Sequence, residues 1–156
     1  MPAAEITAAT DKVVDALVRT LEDERGRWLL GGDHLTAECE FPITGLADGE
    51  LVNGRLDRTF IDSRGTRWIV DYKTSAHEGA GLEDFLNNEC ERYRPQLERY
   101  RKLFAGLEDR PIQAGLYFPL LQRWCEITGT EAARSAGSPK FTRGWRSPRP
   151  QPRNLG

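Results

Sequence analysis

The chain has 156 residues, of which 29% are charged and 38% hydrophobic, and its formal net charge is −2. This length suits one domain with a real core, and the composition is that of a soluble globular protein. No stretch approaches the roughly 20 apolar residues of a membrane span. The N-terminus also lacks the basic start and apolar run of a signal peptide. We therefore expect a cytoplasmic protein that does not associate with a membrane.

Charge is distributed unevenly along the chain. Residues 129–156 carry six basic side chains against Glu131 alone, an excess of five positive charges that leaves −7 for the first 128 residues. The same segment is rich in Gly, Ser and Pro, which predicts a basic, disordered tail over 129–156 after a single domain over 1–128. An acidic domain is not typical of strong nucleic-acid binders, but it suits a site of carboxylates that binds divalent cations.

The three cysteines, Cys39, Cys90 and Cys125, lie far apart and form no CxxC pair. An odd number with this spacing argues against a disulfide framework and against a zinc site. An iron–sulfur cluster normally takes four cysteines. We therefore expect three reduced cysteines and no iron–sulfur cluster.

Hydrophobic periodicity predicts the secondary structure. Apolar residues three or four positions apart over 5–28 predict a first helix. Residues 82–106 keep helical spacing, but Pro95 predicts a break with a second helix starting there. Extended patterns bounded by turn residues predict five strands, at 35–43, 51–62, 66–73, 112–119 and 123–128. The first three are expected to form an antiparallel meander.

The third predicted strand ends in IVDYKTS, which places Asp71 and Lys73 two positions apart. Their side chains share one face, because successive strand residues point to opposite faces. Burying an acid and an amine together is costly unless they are paired or bind something. An ordinary surface salt bridge is one interpretation. The other involves Asp57, which comes near Asp71 if the second and third strands pair as a hairpin.

Two carboxylates and an ammonium at one place suit Mg²⁺ or Mn²⁺, which keep waters and accept phosphate oxygens. A lysine beside such a cation can orient the attacking water or offset charge on a phosphate. Further along, Gln96 and Tyr100 lie at i and i+4 on one helical face. Taken alone, Tyr100 is interpreted as core packing and Gln96 as a solvated helix residue.

The segments GRLDRTFID, WIVDYKTS and RPQLERY, in this order and spacing, resemble the RecB-like branch of the PD-(D/E)XK nuclease superfamily. More narrowly, GRWLL, GTRWIVDYKTSAHEG, RYRPQLERY and GLYFPLL are similar to the nuclease domain at the C-terminus of UvrD-like, AddA-type bacterial helicases. The resemblance covers residues 5–127. It implies an α/β fold with a restriction-endonuclease-like core, in which helices flank a mixed central sheet.

The resemblance also implies roles for individual residues. Asp57 and Asp71 would ligate the metal ion, the backbone carbonyl of Tyr72 would add a ligand, and Lys73 would be the catalytic lysine. The cofactor implied is Mg²⁺ or Mn²⁺.

A second group of residues would bind DNA or support the active site. Gln96 and Tyr100 match the family's downstream motif, and Arg58 belongs to the GRLDR segment. Many relatives add a histidine ligand on a helix ahead of the sheet, but the predicted helix 5–28 has no histidine. His77, which follows DYKTS, and Glu40, on the first strand, are weaker candidates for completing the ligand set; a loop histidine without a role is the alternative for His77.

The carboxylate–lysine group and the resemblance together predict a metal-dependent deoxyribonuclease. The resemblance further implies an exonuclease that acts on single-stranded DNA in helicase-coupled repair or recombination, although the sequence by itself leaves exo- and endonuclease open. No GxxxxGK[ST] phosphate-binding loop is present, so a helicase motor would lie in trans or in a longer parent chain in cis. The main alternative is a catalytically inactive DNA-end-binding module of a helicase–nuclease complex. A protein-interaction domain that uses the basic tail is a third possibility.

Overall fold

The computed structural model describes residues 3–127. The predicted basic tail over 129–156 lies outside the described residues. The helices are α1 (Ala3–Glu22), α2 (Glu24–Leu30) and α3 (Leu82–Ala105), and the strands are β1 (Leu35–Ala47), β2 (Glu50–Ile61), β3 (Arg67–Tyr72), β4 (Ile112–Phe118) and β5 (Arg123–Ile127). One 3₁₀ turn, Pro119–Leu121, connects the last two strands.

The five strands lie in chain order in one mixed sheet, with β3 at its centre. β1, β2 and β3 form the predicted antiparallel meander, β4 runs parallel to β3, and β5 is antiparallel to β4. Parallel neighbours need a long crossover connection, and α3 supplies it. The α/β fold with a mixed central sheet and flanking helices is thereby confirmed.

Neighbouring residues of β3 divide between two apolar cores. Ile69 packs in the larger core with α3 residues such as Leu86 and Leu97. Val70 packs in a second core with Leu29 of α2 and the ring of Phe60. The period of two along a strand explains the division, because adjacent side chains point to opposite faces of the sheet. The central strand is therefore covered on both sides.

The helix predicted over 5–28 is in fact two helices, separated at Asp23. Asp23 has an extended backbone (φ −93°, ψ 133°), and its carboxylate accepts a hydrogen bond from the N–H of Gly26. This is a side-chain cap at the start of α2. The Tyr117 hydroxyl donates to the same carboxylate oxygen at 2.8 Å, which ties the break to β4. Apolar periodicity continues across the cap and so could not reveal it.

Pro95 lies inside α3, which is continuous, so the predicted break at this residue is wrong. A proline in a helix removes one backbone hydrogen bond and costs about 3 kcal/mol. The helix buries Cys90 before the proline and Leu97, Leu103 and Phe104 after it. Each large apolar side chain contributes about 2 kcal/mol on burial, so packing on both sides outweighs the local cost.

Cys90 of α3 and Cys125 of β5 form a disulfide, with their Cα atoms 6.5 Å apart. Both side chains are fully buried. The expectation of three reduced cysteines is therefore wrong for this pair, whereas Cys39 is free and exposed. The two residues are 35 positions apart in the chain, and this spacing carries no information about the packing of α3 against β5.

The outer face of α1 presents six large apolar side chains to solvent, namely Ile6, Val13, Val14, Leu17, Val18 and Leu21. Its inner side buries Ala16 and Thr20. Over residues 3–127, no helix combines the length and apolar character that crossing a bilayer requires.

Candidate active site

β2 and β3 bring Asp57 and Asp71 together. Arg58 pairs with Val70 in the antiparallel ladder, so Asp57 and Asp71 lie opposite each other one step further along. The Oδ2 atom of Asp57 accepts a hydrogen bond from the backbone N–H of Tyr72 at 2.8 Å. The Asp71 carboxyl group also lies close enough to that of Asp57 to raise its pKa. The hairpin geometry thus makes one site from two acids that are 14 positions apart in the sequence.

Lys73 follows the last residue of β3 and completes this group. Its backbone N–H donates to the carbonyl of Tyr117 at 2.8 Å, which keeps it in line with β4. Its ammonium nitrogen lies 2.7 Å from Oδ2 of Asp71, and the two side chains are only 21% and 23% exposed. This is a partly buried ion pair rather than the surface salt bridge that the DxK spacing alone permits.

Burial raises the pKa of Asp57 to about 6. The hydrogen bond from the Tyr72 N–H opposes this change, the hydrogen bond and repulsion from Asp71 add to it, and the Lys73 charge opposes it. Two carboxylates that crowd each other with one ammonium nearby leave excess negative charge at neutral pH. A small divalent cation would neutralise that charge.

The donor chemistry fits Mg²⁺ or Mn²⁺. In the described part of the chain, no group of three or more His, Cys, Asp and Glu side chains is placed to hold a metal ion. The side-chain donors are therefore the two carboxylates of Asp57 and Asp71, with the Tyr72 carbonyl as the predicted backbone ligand. Mg²⁺ keeps several waters and is commonly held by one or two carboxylates together with substrate phosphates, so this small set of donors is compatible with it.

Tyr93 of α3 also belongs to this group, although sequence reasoning did not select it. The Lys73 ammonium lies 3.7 Å from the centroid of the Tyr93 ring, within the range of a cation–π interaction. The signal available in the sequence is its position three residues before Gln96 in RYRPQLERY, which places both on one helical face.

Gln96 and Tyr100 contact each other, with the Gln96 amide donating to the Tyr100 hydroxyl at 3.0 Å. Tyr100 is 5% exposed and packs in the core beneath α3, as its interpretation from the residues alone predicted. Both line a cavity of about 240 Å³ beside the start of β2, whose other lining residues are Leu51, Val52, Asn53 and Arg99. This part of β2 is about 13–20 Å from Asp57, given a rise of about 3.3 Å per residue.

Arg58 points away from the two carboxylates and towards α2. It is 9% exposed, and its guanidinium donates to the Leu29 carbonyl at 2.6 Å and to the Sγ atom of Cys39 at 3.2 Å. A third, longer bond reaches the carbonyl of Gly31. These contacts hold the C-terminal end of α2 against β2 next to Asp57. The placement suits support of the site, whereas contact with DNA stays a prediction.

The two weaker candidates, His77 and Glu40, lie apart from the carboxylate pair. His77 is half-exposed, lies 3.0 Å from the Ala80 carbonyl and stacks on Phe85. Glu40 is exposed and forms an ion pair with Arg55 at 3.6 Å. Neither joins Asp57 and Asp71 in a three-donor group within residues 3–127.

The chain matches the PD-(D/E)XK nuclease superfamily over residues 2–146. No curated protein matches it. The matched range contains the five strands described over residues 3–127 and the whole carboxylate–lysine group, and so the chain belongs to the PD-(D/E)XK nuclease superfamily.

Proposed function

We propose that this protein is a Mg²⁺- or Mn²⁺-dependent deoxyribonuclease that hydrolyses phosphodiester bonds. The observation that carries the proposal is the meeting of Asp57, Asp71 and Lys73 at the end of the central strand. The membership in a superfamily of nucleases supports it. Metal-assisted phosphate hydrolysis uses carboxylates to hold the cation and a positive side chain to offset charge on the phosphate, and this group contains side chains of both kinds.

Each residue has a distinct chemical task in this proposal. Asp57 and Asp71, with the Tyr72 carbonyl, would hold the divalent cation, which would supply Lewis-acid activation of the scissile phosphate. Lys73 presents its ammonium beside Asp71, where it offsets the negative charge that develops on the phosphate oxygens. It can also donate a hydrogen bond that orients the attacking water.

More narrowly, we assign the protein to the RecB-like branch of the superfamily. In this assignment it is a cytoplasmic exonuclease that cleaves single-stranded DNA in helicase-coupled repair or recombination. The segments GRLDR, DYKTS and QLERY support this assignment, because their order and spacing resemble that branch. Since the chain contains no phosphate-binding loop for ATP, the motor would be a helicase domain in cis or in trans.

The test is digestion of end-labelled DNA in Mg²⁺ or Mn²⁺, with EDTA added to parallel samples. Linear single strands, linear duplexes and circular single strands distinguish the substrate class and separate an exonuclease from an endonuclease. We expect cleavage of linear single strands that EDTA stops, with circular strands resistant.

Two carboxylate variants complete the test. Asp71→Asn is expected to lose cleavage, whereas Asp48→Asn, which alters an exposed acid paired with Lys102, keeps the wild-type rate. Wild-type protein that binds DNA ends without cleaving them would favour the inactive DNA-end-binding module. Equal cleavage by Asp71→Asn would contradict the assigned site.

A further inference from the structure

Among residues 3–127, the ammonium of Lys73 contacts two groups of different character. One is the Asp71 carboxylate, at 2.7 Å. The other is the ring of Tyr93, whose centroid lies 3.7 Å from the nitrogen. Tyr93 is partly buried and packs against the larger core, so the ring is held by the same contacts that seat α3 on the sheet. The guanidinium of Arg92 lies further from the ring, at 5.4 Å, and its side chain is mostly exposed.

The two partners respond differently to a divalent cation. In the proposed function, which this inference rests on, Asp71 is a metal ligand. A cation at Asp71 competes for the carboxylate and repels the ammonium, so the ion pair is weakened when Lys73 has to act. The ring of Tyr93 is not a metal ligand, and the attraction between its face and the ammonium does not depend on Asp71.

We propose that Tyr93 is a positioning residue that holds the ammonium of Lys73 at the scissile phosphate while Asp71 binds the metal ion. The ring restricts Lys73 to the α3 side of the carboxylate pair. A lysine side chain has several rotatable bonds and loses considerable rotamer freedom when it is fixed in one place. A contact that fixes it in advance raises the rate of the chemical step without changing how tightly DNA binds.

The contact itself can be measured in metal-free protein. The chain contains four lysines, so ¹³C-lysine labelling gives a simple spectrum of ε-CH₂ groups. The signal that disappears in Lys73→Arg belongs to Lys73, and the ring current of Tyr93 should move it upfield. We expect Tyr93→Leu to return this signal to the position of a solvated lysine, whereas Tyr93→Phe keeps it shifted. A Lys73 signal unaffected by Tyr93→Leu would overturn the proposal.

Kinetics on single-stranded DNA tests the consequence. Tyr93→Leu should lower kcat roughly tenfold, the equivalent of about 1.4 kcal/mol, with KM unchanged. Tyr93→Phe keeps the ring and should restore the rate to within about twofold. The matched control is Phe41→Leu, which removes an aromatic ring from the same core, packed against Phe104 rather than a cation. It should leave kcat unchanged.

A double-mutant comparison separates positioning from general stability. Because Tyr93 acts through Lys73, Tyr93→Leu should cause no further loss of rate in a Lys73→Met background. A further loss of rate from Tyr93→Leu in the Lys73→Met background would show that Tyr93 has a general structural role and would overturn the proposal. So would a loss of kcat in Phe41→Leu equal to that in Tyr93→Leu. If wild-type protein cleaves DNA and Tyr93→Leu cleaves it equally fast, the inference fails and the proposed function stands. If wild-type protein cleaves no DNA in either metal, both fail.

Discussion

The backbone N–H of Tyr72 donates a hydrogen bond to Oδ2 of Asp57, with 2.8 Å between the two heavy atoms. This bond fixes a side chain of β2 to the main chain of β3. The donor, Tyr72, is the residue between Asp71 and Lys73. The bond holds the Asp57 carboxylate where it also meets the carboxyl group of Asp71. The sheet itself therefore sets the arrangement of the two carboxylates that we propose as ligands of the cation.

The first prediction separates the roles of Asp71 and Lys73. Asp71→Asn should lose both Mn²⁺ binding and cleavage, because it removes one of two carboxylate donors. Lys73→Met should keep Mn²⁺ binding and lose most of the rate, because the ammonium acts on the phosphate or the water. Calorimetric Mn²⁺ titration of both variants, beside cleavage assays, measures the difference. Equal loss of Mn²⁺ binding in the two variants would disprove this division of roles.

The second prediction concerns the stability of the metal-free protein between pH 4 and 6. The ordinary pKa of Asp57 is 3.8, and burial raises it to about 6 in the folded state. Between these values the folded state binds a proton that the unfolded state has released, so the free energy of unfolding falls as the pH rises. Partial exposure to water limits the fall to roughly 1–2 kcal/mol.

Urea unfolding in EDTA at several pH values, for wild type and Asp57→Asn, checks this. The comparison is needed because Glu108, whose pKa is lowered by its hydrogen bond with Arg67, changes stability in the opposite sense in both proteins. Relative to Asp57→Asn, the wild type should lose stability as the pH rises to 6. Two parallel curves would show that Asp57 has no raised pKa.

The third prediction concerns Gly54, which lies against the hydroxyl of Tyr100. A Cβ atom at Gly54 would collide with that hydroxyl and with the ring carbon that bears it. Gly54→Ala should therefore lower the free energy of unfolding by roughly 1–3 kcal/mol, because the packed core must move. The control is Gly32→Ala, where a Cβ meets no atom within 4 Å and the change should stay within about 0.5 kcal/mol.

Chemical denaturation of both glycine variants measures these effects. In a Tyr100→Phe background, Gly54→Ala should be less harmful, because the hydroxyl that it meets is absent. If Gly54→Ala lowers the free energy of unfolding equally in the wild-type and Tyr100→Phe backgrounds, the collision with the Tyr100 hydroxyl is not the cause of the destabilisation.

The fourth prediction tests the disulfide between Cys90 and Cys125. Denatured, unreduced protein should show one reactive thiol, that of Cys39, and three after reduction. Because the two cysteines are 35 positions apart, loop-closure entropy gives a stabilisation of about 3–4 kcal/mol, which reductant should remove. Urea unfolding with and without reductant measures this, and Cys39→Ser should behave like wild type. Three reactive thiols without reductant would show that the bond is absent.

Local patterns in the sequence were enough to predict the strands, the antiparallel meander and the meeting of Asp57, Asp71 and Lys73, whereas the mixed sheet was implied by the family resemblance. The strands follow from alternation of apolar residues and from turn residues, which are properties of short segments. The meeting of Asp57 with Asp71 follows from one hairpin, and the shared face of Asp71 and Lys73 follows from the period of two along a strand. These relationships involve neighbours in the chain or in one pair of strands, so spacing alone could predict them.

Contacts between distant elements were decided only by the tertiary structure. Pro95 remains helical because α3 is packed against the sheet on both sides of it, and Cys90 meets Cys125 because the same helix crosses β5. The seating of α3 also brings Tyr93 over Lys73. The periodicity of apolar residues does not predict these contacts, because they depend on how α3 packs against the sheet. Spacing could therefore predict which residues share a face, whereas only packing determined which side chains from separate elements touch.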